Sequence, residues 1–319
     1  MTIEGEARPQ TEPVKRVFVV ARERKGRPVA DVVHEVELLL AHEGVGCETR
    51  IVKRKRAVRE ATTRAMKAGV DVVIAVGGDG TVLQVATSLA GSQVPLAIVP
   101  TGTGNLLASN LDIPGPPADA VHIALHGRPR RIDVGSVKID GKRRDFTVAC
   151  GIGFDADVMD RTDSQQKGRW GKMAYLANAI RESGNISNVV HEVTLDGVKS
   201  TTEAAQVLIA NFGRVPAGLQ ARGVRPDDGL LDVFIVRASG PLPALLAGWH
   251  ALRQTEPGEG GGGRVFRAKA RKVRIATRPR RKVETDGSVV GWTPVTCTVK
   301  PDALSIMVPR RGPAGQAAS

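Results

Sequence analysis

Val72-Val73-Ile74-Ala75-Val76-Gly77-Gly78-Asp79-Gly80-Thr81 is a run of five apolar residues that leads directly into three glycines and an aspartate. A helical pattern begins at Thr81. A buried strand that leads into a glycine-rich loop and a helix N-terminus is a layout that binds phosphate groups, because the backbone N–H groups point at the anion. The loop is neither G-x-G-x-x-G nor a Walker loop, since it lacks the G-K-[ST] ending.

Asp79 narrows the type of ligand that this loop could take. Phosphates repel a carboxylate unless a cation shields it or it accepts hydrogen bonds from hydroxyl groups. The loop therefore predicts a nucleotide together with Mg²⁺, not a bare anion.

A second glycine-rich turn, Pro100-Thr101-Gly102-Thr103-Gly104-Asn105, follows the apolar run Leu96–Val99. Ligands of open parallel sheets bind beyond the carboxyl ends of the strands. Both turns occupy such positions, so we expect them to form one site. For either turn alone, a tight strand-to-helix connection without a ligand remains the alternative.

The first 133 residues alternate between predicted strands and helices. The strands are predicted at 17–20, 47–52, 72–76 and 96–99, and the helices at 31–43, 58–68, from 81 onwards, and from 105 to about 110. This alternation predicts an α/β domain with a parallel sheet and helices on both faces.

After Asp133 the pattern changes to short runs rich in β-branched residues, separated by turns such as Asp140-Gly141 and Asp196-Gly197. The runs are 134–139, 146–150, 189–195, 206–210, 231–236, 272–276, 295–299 and 304–308. They predict an antiparallel β-sandwich or barrel. One helical insert at 170–182, one proline-bounded stretch at 241–252 and a flexible loop at 258–263 interrupt it.

The predicted organisation has four parts. Residues 1–13 form a disordered leader, 14–133 an α/β nucleotide-binding domain, 134–309 a β-sandwich domain, and 310–319 a disordered tail. The fold class is therefore α/β plus all-β.

Composition limits the environment and the partners. The chain has 319 residues, a net charge of +13, 3% aromatic residues and three cysteines. No apolar run is long enough to span a bilayer, and widely spaced cysteines are typical of a reducing cytoplasm. Nucleic acid, an anionic membrane and anionic small substrates could each explain the charge, but the scarcity of aromatic residues argues against nucleic acid.

The basic residues occur in four clusters, each of which could also be an ordinary solvated surface. The clusters are Lys53–Arg56, Arg128–Arg131, Lys142–Arg144 and Arg278–Lys282.

Two acidic turns in the second half could carry chemistry. Asp227, Asp228 and Asp232 surround a turn before a strand, an arrangement that suits a hard cation. Asp286-Gly287-Ser288 lies between two predicted strands. A simple β turn explains either motif as well, because Asp and Gly favour turns. The histidines are scattered, so no zinc site is predicted.

Four motifs, taken in order, resemble the diacylglycerol kinase catalytic-domain family, the soluble bacterial lipid kinases related to sphingosine kinases. They are Gly77–Thr81, Pro100–Asn105, Gly153-Phe154-Asp155 with Lys167–Leu176, and Asp228–Asp232. NAD kinases and phosphofructokinases share the first motif, whereas the other three favour lipid kinases.

The resemblance implies ATP and Mg²⁺, phosphoryl transfer to a lipid hydroxyl, and an active site in the cleft between the domains. Residues at the end of the second strand, in the first loop and in the second turn would bind ATP: Thr49, Gly77, Gly78, Asp79, Gly80, Thr81, Gly102, Thr103 and Asn105. Asp228 and the backbone of Arg225 and Leu230 would bind a Mg²⁺ ion that supports the domain interface.

Two departures from the family pattern concern catalysis. Residues 21–26 replace the family's Asn-Pro-x-Ser-Gly turn, although Arg and Lys there could bind phosphate instead. Ser288 replaces the glutamate that supplies the family's proposed base, and a serine hydroxyl cannot accept a proton near neutral pH as a carboxylate does. The base would then be Asp286 or Asp79, or the protein would be slow or inactive.

The sequence thus predicts an ATP- and Mg²⁺-dependent lipid kinase that phosphorylates a diacylglycerol-like or sphingoid-like hydroxyl group. It would be cytoplasmic and peripherally bound to an anionic membrane, its partner would be a lipid and not nucleic acid, and a homodimer is possible. A catalytically impaired lipid- or nucleotide-binding relative is the alternative, and an NAD kinase ranks third.

Overall fold

The computed structural model describes residues 13–23, 29–153, 188–215, 219–237, 260–261 and 265–310. The chain divides into two compact units. Unit 1 comprises Met1–Thr103, Leu111–Arg130 and Ser305–Ser319, and unit 2 comprises Gly104–Asn110 and Arg131–Leu304. The predicted helix at 170–182, the proline-bounded stretch at 241–252, the leader before residue 13 and the tail after Arg310 lie outside the described residues.

The described helices are α1 Ala30–His42, α2 Lys55–Lys67, α3 Asp79–Leu89, α4 Leu106–Asn110 and α5 Pro117–His126. The described strands are β1 Arg16–Arg22, β2 Gly46–Val52, β3 Val72–Gly77, β4 Leu96–Pro100, β5 Arg128–Ile139, β6 Lys142–Phe146, β7 Ala149–Ile152, β8 Val189–Leu195, β9 Val198–Ala204, β10 Gln206–Ala210, β11 Arg214–Val215, β12 Leu219–Gln220, β13 Leu231–Val236, β14 Gly260–Gly261, β15 Val265–Ala270, β16 Lys272–Arg278, β17 Lys282–Thr285, β18 Ser288–Trp292 and β19 Val295–Val308.

Unit 1 is built on a parallel sheet in the order β2-β1-β3-β4, continued by the end of β19 through Ile306 beside Leu96. Every residue of β3 is buried. Its uninterrupted apolar sequence is typical of a central strand that helices cover on both faces. The predicted α/β unit with a parallel sheet is thereby confirmed.

Alternating strand residues supply the core of unit 1. One face packs against α1 through Val33, Val36 and Leu40 and against α5 through Val121 and Ala124. On α2 the buried side chains recur at helical spacing, at Val58, Thr62 and Ala65. Helix α5 was not predicted. It begins with a proline at its first position, where the missing N–H costs nothing.

Within the described ranges, unit 2 contains the two-stranded sheet β11-β12 and two larger antiparallel sheets. One runs β9-β8-β16 and onto the first part of β19, and the other runs β14-β15-β13-β10-β7-β17-β18. Their inner faces share one apolar cluster, to which β16 and β19 contribute Val273, Ile275 and Val295, and β7 and β10 contribute Ile152 and Ile209. The predicted β-sandwich is confirmed.

Two details differ from the predicted elements. The runs 295–299 and 304–308 belong to one strand, β19. The prediction of a flexible loop at 258–263 was wrong at Gly260–Gly261, which forms β14 and pairs with β15.

Three cysteines are free, and Cys150 and Cys297, far apart in sequence, lie in the same buried cluster. Within the described ranges, no helix is long and apolar enough to cross a membrane.

Candidate functional site

The predicted phosphate loop joins β3 to α3 in unit 1. Gly78 is extended and caps α3, and its carbonyl accepts hydrogen bonds from the N–H groups of Thr81 at 2.8 Å and Val82 at 3.2 Å. A Cβ at Gly77 would lie 2.7 Å from the Cβ of Thr81, so the turn excludes a side chain there. This local packing explains why the strand must end in glycine. The remaining N–H groups at the start of α3 can receive an anion.

The structure brings the two glycine-rich turns together. The N–H of Thr101 donates to the carbonyl oxygen of Gly77 at 3.1 Å. A Cβ at Gly78 would lie 2.9 Å from the Cα of Gly102, so the two backbones can approach this closely only because residue 78 is glycine. The turns thus form one surface at the carboxyl edge of β3 and β4, where the sequence placed the site.

Thr103, Asn105 and Thr49 were also predicted to bind the nucleotide, and they lie in three different places. Thr103 is exposed at the end of this segment of unit 1, whereas Asn105 belongs to unit 2, where it precedes α4 and has a φ of 47°. The placement of Thr49 at the end of the second strand was wrong. It is the central residue of β2, level with Val19. The carboxyl end of β2 is three residues further on, about 10 Å along the strand.

Arg22 is a feature of the loop that the sequence only suggested. It ends β1, and its Nη2 lies 3.9 Å from the position that a Cβ would take at Gly80. A guanidinium therefore stands beside the first turn of α3. Residues 24–28, which complete the segment in place of the family's Asn-Pro turn, lie outside the described residues.

In unit 2, Asp286 is a fully engaged carboxylate. One oxygen accepts from the N–H of Thr147 at 2.7 Å and from its hydroxyl at 3.0 Å. The other accepts from the N–H groups of Val148 at 2.8 Å and Ala149 at 3.0 Å. Burial raises the pKa of Asp286, and these four hydrogen bonds act in the opposite direction. The carboxylate fixes the β17–β18 turn to residues 147–149.

Ser288 is exposed and begins β18, paired with Thr285 across the turn. Asp286 and Gly287 both have positive φ, 46° and 76°, which is the geometry of a tight hairpin turn. The β-turn explanation of this motif is therefore sufficient for its sequence, whatever further role it has.

The second acidic turn is engaged by cations of the protein itself. Asp228 accepts from the N–H of Leu230 at 3.1 Å with one oxygen, and its other oxygen lies 2.5 Å from the Nζ of Lys269. Asp227 lies 3.5 Å from the Nε of Arg225. Among the described residues no group of three Asp, Glu, His or Cys could hold a metal ion.

These contacts do not fit the predicted Mg²⁺ site. Both oxygens of Asp228 already have partners, and one of those partners is an ammonium group. A directly bound Mg²⁺ would have to displace Lys269, so the turn as built is neutralised by the chain.

Asp232, counted with this turn in the sequence, lies inside strand β13. It accepts from the Nε of Arg267 at 2.8 Å, and both side chains are almost completely buried. The Arg267 guanidinium also lies 5.2 Å from the centre of the Phe234 ring. Burial raises the pKa of Asp232, and Arg267 lowers it. Asp232 is therefore a structural ion pair and not a ligand facing solvent.

Two residues that the sequence did not single out connect the acidic turns. The buried Asn211 donates from Nδ2 to the carbonyl oxygens of Asp133 at 2.8 Å and Thr147 at 2.9 Å. Asp133 accepts from the N–H groups of Gly229 at 2.8 Å and Asp302 at 2.9 Å. A polar chain thus runs from the Asp286 turn to the Asp228 turn. The available signal was an asparagine directly after the buried strand β10.

Phe154, Asp155 and the segment Lys167–Leu176 lie outside the described residues. Gly153, the one described residue of that motif, has a φ of 88°, and a Cβ there would lie 2.7 Å from the carbonyl oxygen of Ala205. Its glycine is required by backbone packing alone.

The α/β unit with its paired glycine turns and the β-sandwich unit each correspond to a known domain. Two family models match the chain: the diacylglycerol kinase catalytic domain over residues 16–137, and the YegS C-terminal NAD kinase beta sandwich-like domain over 148–308. The chain therefore belongs to the diacylglycerol kinase and YegS family of lipid kinases. The resemblance drawn from the four motifs is confirmed.

Individual relatives agree with this assignment. The diacylglycerol kinase of Mycobacterium tuberculosis H37Rv is 28% identical over 86% of this chain and 88% of its own length. A YegS-like lipid kinase of Stenotrophomonas maltophilia is 31% identical over 64% and 69%. An uncharacterized Synechocystis protein, sll0036, is 28% identical over 81% of this chain but 59% of its own length.

The solved structures show the same fold. A diacylglycerol kinase from Bacillus anthracis strain Sterne superposes with a TM-score of 0.69 at 22% identity, covering 96% of this chain and 99% of that one.

Proposed function

We propose that this chain transfers the γ-phosphate of ATP to the hydroxyl group of a membrane lipid. The observation that carries the proposal is the contact between the two glycine turns, where Gly102 approaches Gly78 so closely that Gly78 does not tolerate a side chain. Paired backbone loops at the carboxyl edge of a parallel sheet suit a nucleotide's phosphates. In a family of lipid kinases, ATP is the corresponding phosphoryl donor.

The proposed roles follow from position. The loop from Gly77 to Thr81, with Gly102 and Thr103, would bind the phosphates, and Arg22 would add a charge-assisted donor beside Gly80. The N–H of Thr81 is used within the loop, where it donates to the carbonyl oxygen of Gly78. The half-buried carboxylate of Asp79 at the first turn of α3 suits the Mg²⁺ that accompanies ATP and neutralises charge during phosphoryl transfer. We do not assign Thr49 or the Asp228 turn to the nucleotide or its metal.

Two aspartates, Asp286 and Asp79, are the candidates for the proton acceptor. Asp286 accepts four hydrogen bonds from residues 147–149, so it has no oxygen available for a substrate proton. We therefore propose that Asp286 positions the hairpin and that Asp79, in the first turn of α3 beside the phosphate loop, acts in catalysis. Positioning and charge neutralisation dominate loose phosphoryl transfer, so a missing Glu at position 288 slows the reaction without abolishing it.

The lipid acceptor would bind to unit 2, and a diacylglycerol-like or sphingoid-like hydroxyl is the proposed group. The M. tuberculosis relative carries the name diacylglycerol kinase, which favours the first. We further propose that the protein acts in the cytoplasm at anionic membranes. A homodimer stays an open prediction.

One experiment tests the activity and its alternatives. The protein is incubated with ATP, Mg²⁺ and a total lipid extract, and new phosphorylated lipids are identified by mass spectrometry. We expect a phosphorylated lipid that Asp79→Ala abolishes. ATP binding without any product would favour the impaired relative. Phosphorylation of NAD in the absence of vesicles would favour an NAD kinase. The second family model describes its domain as similar to the β-sandwich of NAD kinases.

The variant Ser288→Glu tests whether the absence of the family's glutamate at this position limits turnover. If the family's glutamate is simply missing, the variant should turn over faster, by up to about 10²-fold. Unchanged turnover would indicate that the base lies elsewhere, and Asp79→Asn in the same background would then identify it.

A further inference from the structure

Two basic clusters that are far apart in sequence meet in unit 2. The turn Asp140-Gly141 joins β5 to β6, and Lys142, Arg143 and Arg144 follow it, all exposed. The Nη2 of Arg280 lies 3.5 Å from the Oδ1 of Asp140. Gly291 packs so tightly against this turn that a Cβ there would lie 2.8 Å from the Cδ1 of Ile139. The cluster 142–144 therefore adjoins the cluster 278–282.

Exposed apolar side chains lie among these cations. Trp292 and Val289, on the edge strand β18, are 45% and 47% exposed. The Nζ of Lys282 lies 5.9 Å from the centre of the Trp292 ring. Val190, which is 41% exposed, pairs with Arg278 between β8 and β16. We call the surface formed by residues 142–144, 278–282, Val190, Val289 and Trp292 the basic-apolar rim.

The mixture of residue types discriminates between partners. Asp140 and Glu203 also lie here, yet cations outnumber these exposed carboxylates. A nucleic acid site would use aromatic side chains on which bases stack, whereas this rim offers one tryptophan and aliphatic valines. Tryptophan prefers the level of lipid headgroups, and Lys and Arg are attracted to anionic lipids.

From this combination we infer that the basic-apolar rim is the surface by which the protein binds an anionic lipid bilayer, with Trp292 at the headgroup level. The inference rests on the proposed function, because a lipid substrate is presented by a bilayer. Beyond the proposed function, the inference specifies which basic clusters contact the membrane. It also assigns a part in that contact to the aromatic side chain of Trp292.

The test is sedimentation with vesicles in the absence of ATP. Vesicles of phosphatidylcholine mixed with phosphatidylglycerol should bind the protein, and vesicles of phosphatidylcholine alone should bind it much more weakly. The triple variant Lys142→Gln, Arg143→Gln, Arg144→Gln should weaken binding by about 10²-fold, and Trp292→Ala by about tenfold. Melting temperatures confirm that each variant is folded.

Matched controls use other exposed positions. Lys53→Gln, Arg54→Gln, Lys55→Gln removes the same charge from another cluster, and Val198→Gln removes an apolar side chain that is 75% exposed on β9. Both controls should bind vesicles as the unmodified protein does. If the 53–55 control loses binding and the 142–144 variant does not, the inference is wrong. Loss of duplex DNA binding with unchanged vesicle binding in the rim variants would also overturn it.

Failure of the inference can be told apart from failure of the proposed function. Vesicle binding needs no phosphoryl transfer, so a protein that binds through the rim but phosphorylates nothing refutes only the kinase proposal. Conversely, rim variants that keep full vesicle binding and full activity on bilayer lipid refute only the rim. If the rim acts in docking alone, its variants retain activity on detergent-dispersed lipid.

Discussion

The glycine loop of unit 1 and the aspartate turns of unit 2 look alike in sequence but differ in construction. Around Gly78 the contacts are backbone to backbone, and Gly102 comes so close that residue 78 cannot carry a side chain. Around Asp286 and Asp228 the carboxylates already accept hydrogen bonds or an ammonium group from the chain itself. The comparison teaches that an Asp-Gly motif can be a turn held by internal hydrogen bonds, so the motif by itself does not indicate a ligand.

The largest effect is expected from Gly78→Ala, which attacks the loop. Its Cβ would lie 2.9 Å from the backbone of Gly102, so the two turns must separate. A displacement of this kind should lower kcat/KM for ATP by more than about 10²-fold. Gly115→Ala is the control, since a Cβ there meets nothing within 4 Å. Equal activity of the two variants would mean that the paired turns do not bind the nucleotide.

Asp286→Asn should act on stability. The amide NH₂ would face N–H donors of residues 147–149 in a buried site, at a cost of about 3 kcal/mol of unfolding free energy. Denaturant unfolding measures it. Asp196→Asn is matched, because Asp196 accepts from the N–H groups of Arg271 and Lys272 at an exposed hairpin turn, where water can compensate. An activity loss without destabilisation would instead return Asp286 to the list of catalytic residues.

Lys269→Met tests whether the chain supplies the cation of the Asp228 turn. Removing the ammonium leaves Asp228 without its closest partner and should lower the melting temperature by about 3 °C. Added Mg²⁺ should restore part of the lost melting temperature in the variant. It should leave the melting temperature of the unmodified protein unchanged. Lys199→Met breaks an exposed pair with Glu192 and should show neither effect. Mg²⁺ stabilisation of the unmodified protein without ATP would contradict this assignment.

The smallest effect is expected on the stability of the protein at acidic pH. Burial lowers the pKa of His191, whose Nδ1 lies 2.8 Å from the carbonyl oxygen of Val189. The stability that neutral His191 contributes is complete above its unfolded pKa of about 6.5 and is lost as the pH falls through its lower folded pKa. His191→Leu should therefore flatten the pH dependence of unfolding below about pH 6.5. Substituting the exposed His34 by Gln should leave the curve unchanged.

Local patterns predicted most elements because their causes are local. The apolar run of β3, the helical spacing on α2 and the Asp-Gly turns each act within a few residues. The ion pairs and hydrogen bonds of unit 2 were not predicted, because Asp232 and Arg267 are 35 residues apart and Asp286 and Thr147 are 139 apart. No periodicity links such partners.

The sequence by itself determined the glycine loop, the α/β-then-β order and the family, since motif spacing and strand patterns are properties of short segments. Only the tertiary structure decided that Gly78 touches Gly102, that Lys269 neutralises Asp228, and that Thr49 lies mid-strand. It also placed the chain's return through Ser305–Val308 beside β4. Whether a carboxylate is free for chemistry depends on neighbours that only folding brings near.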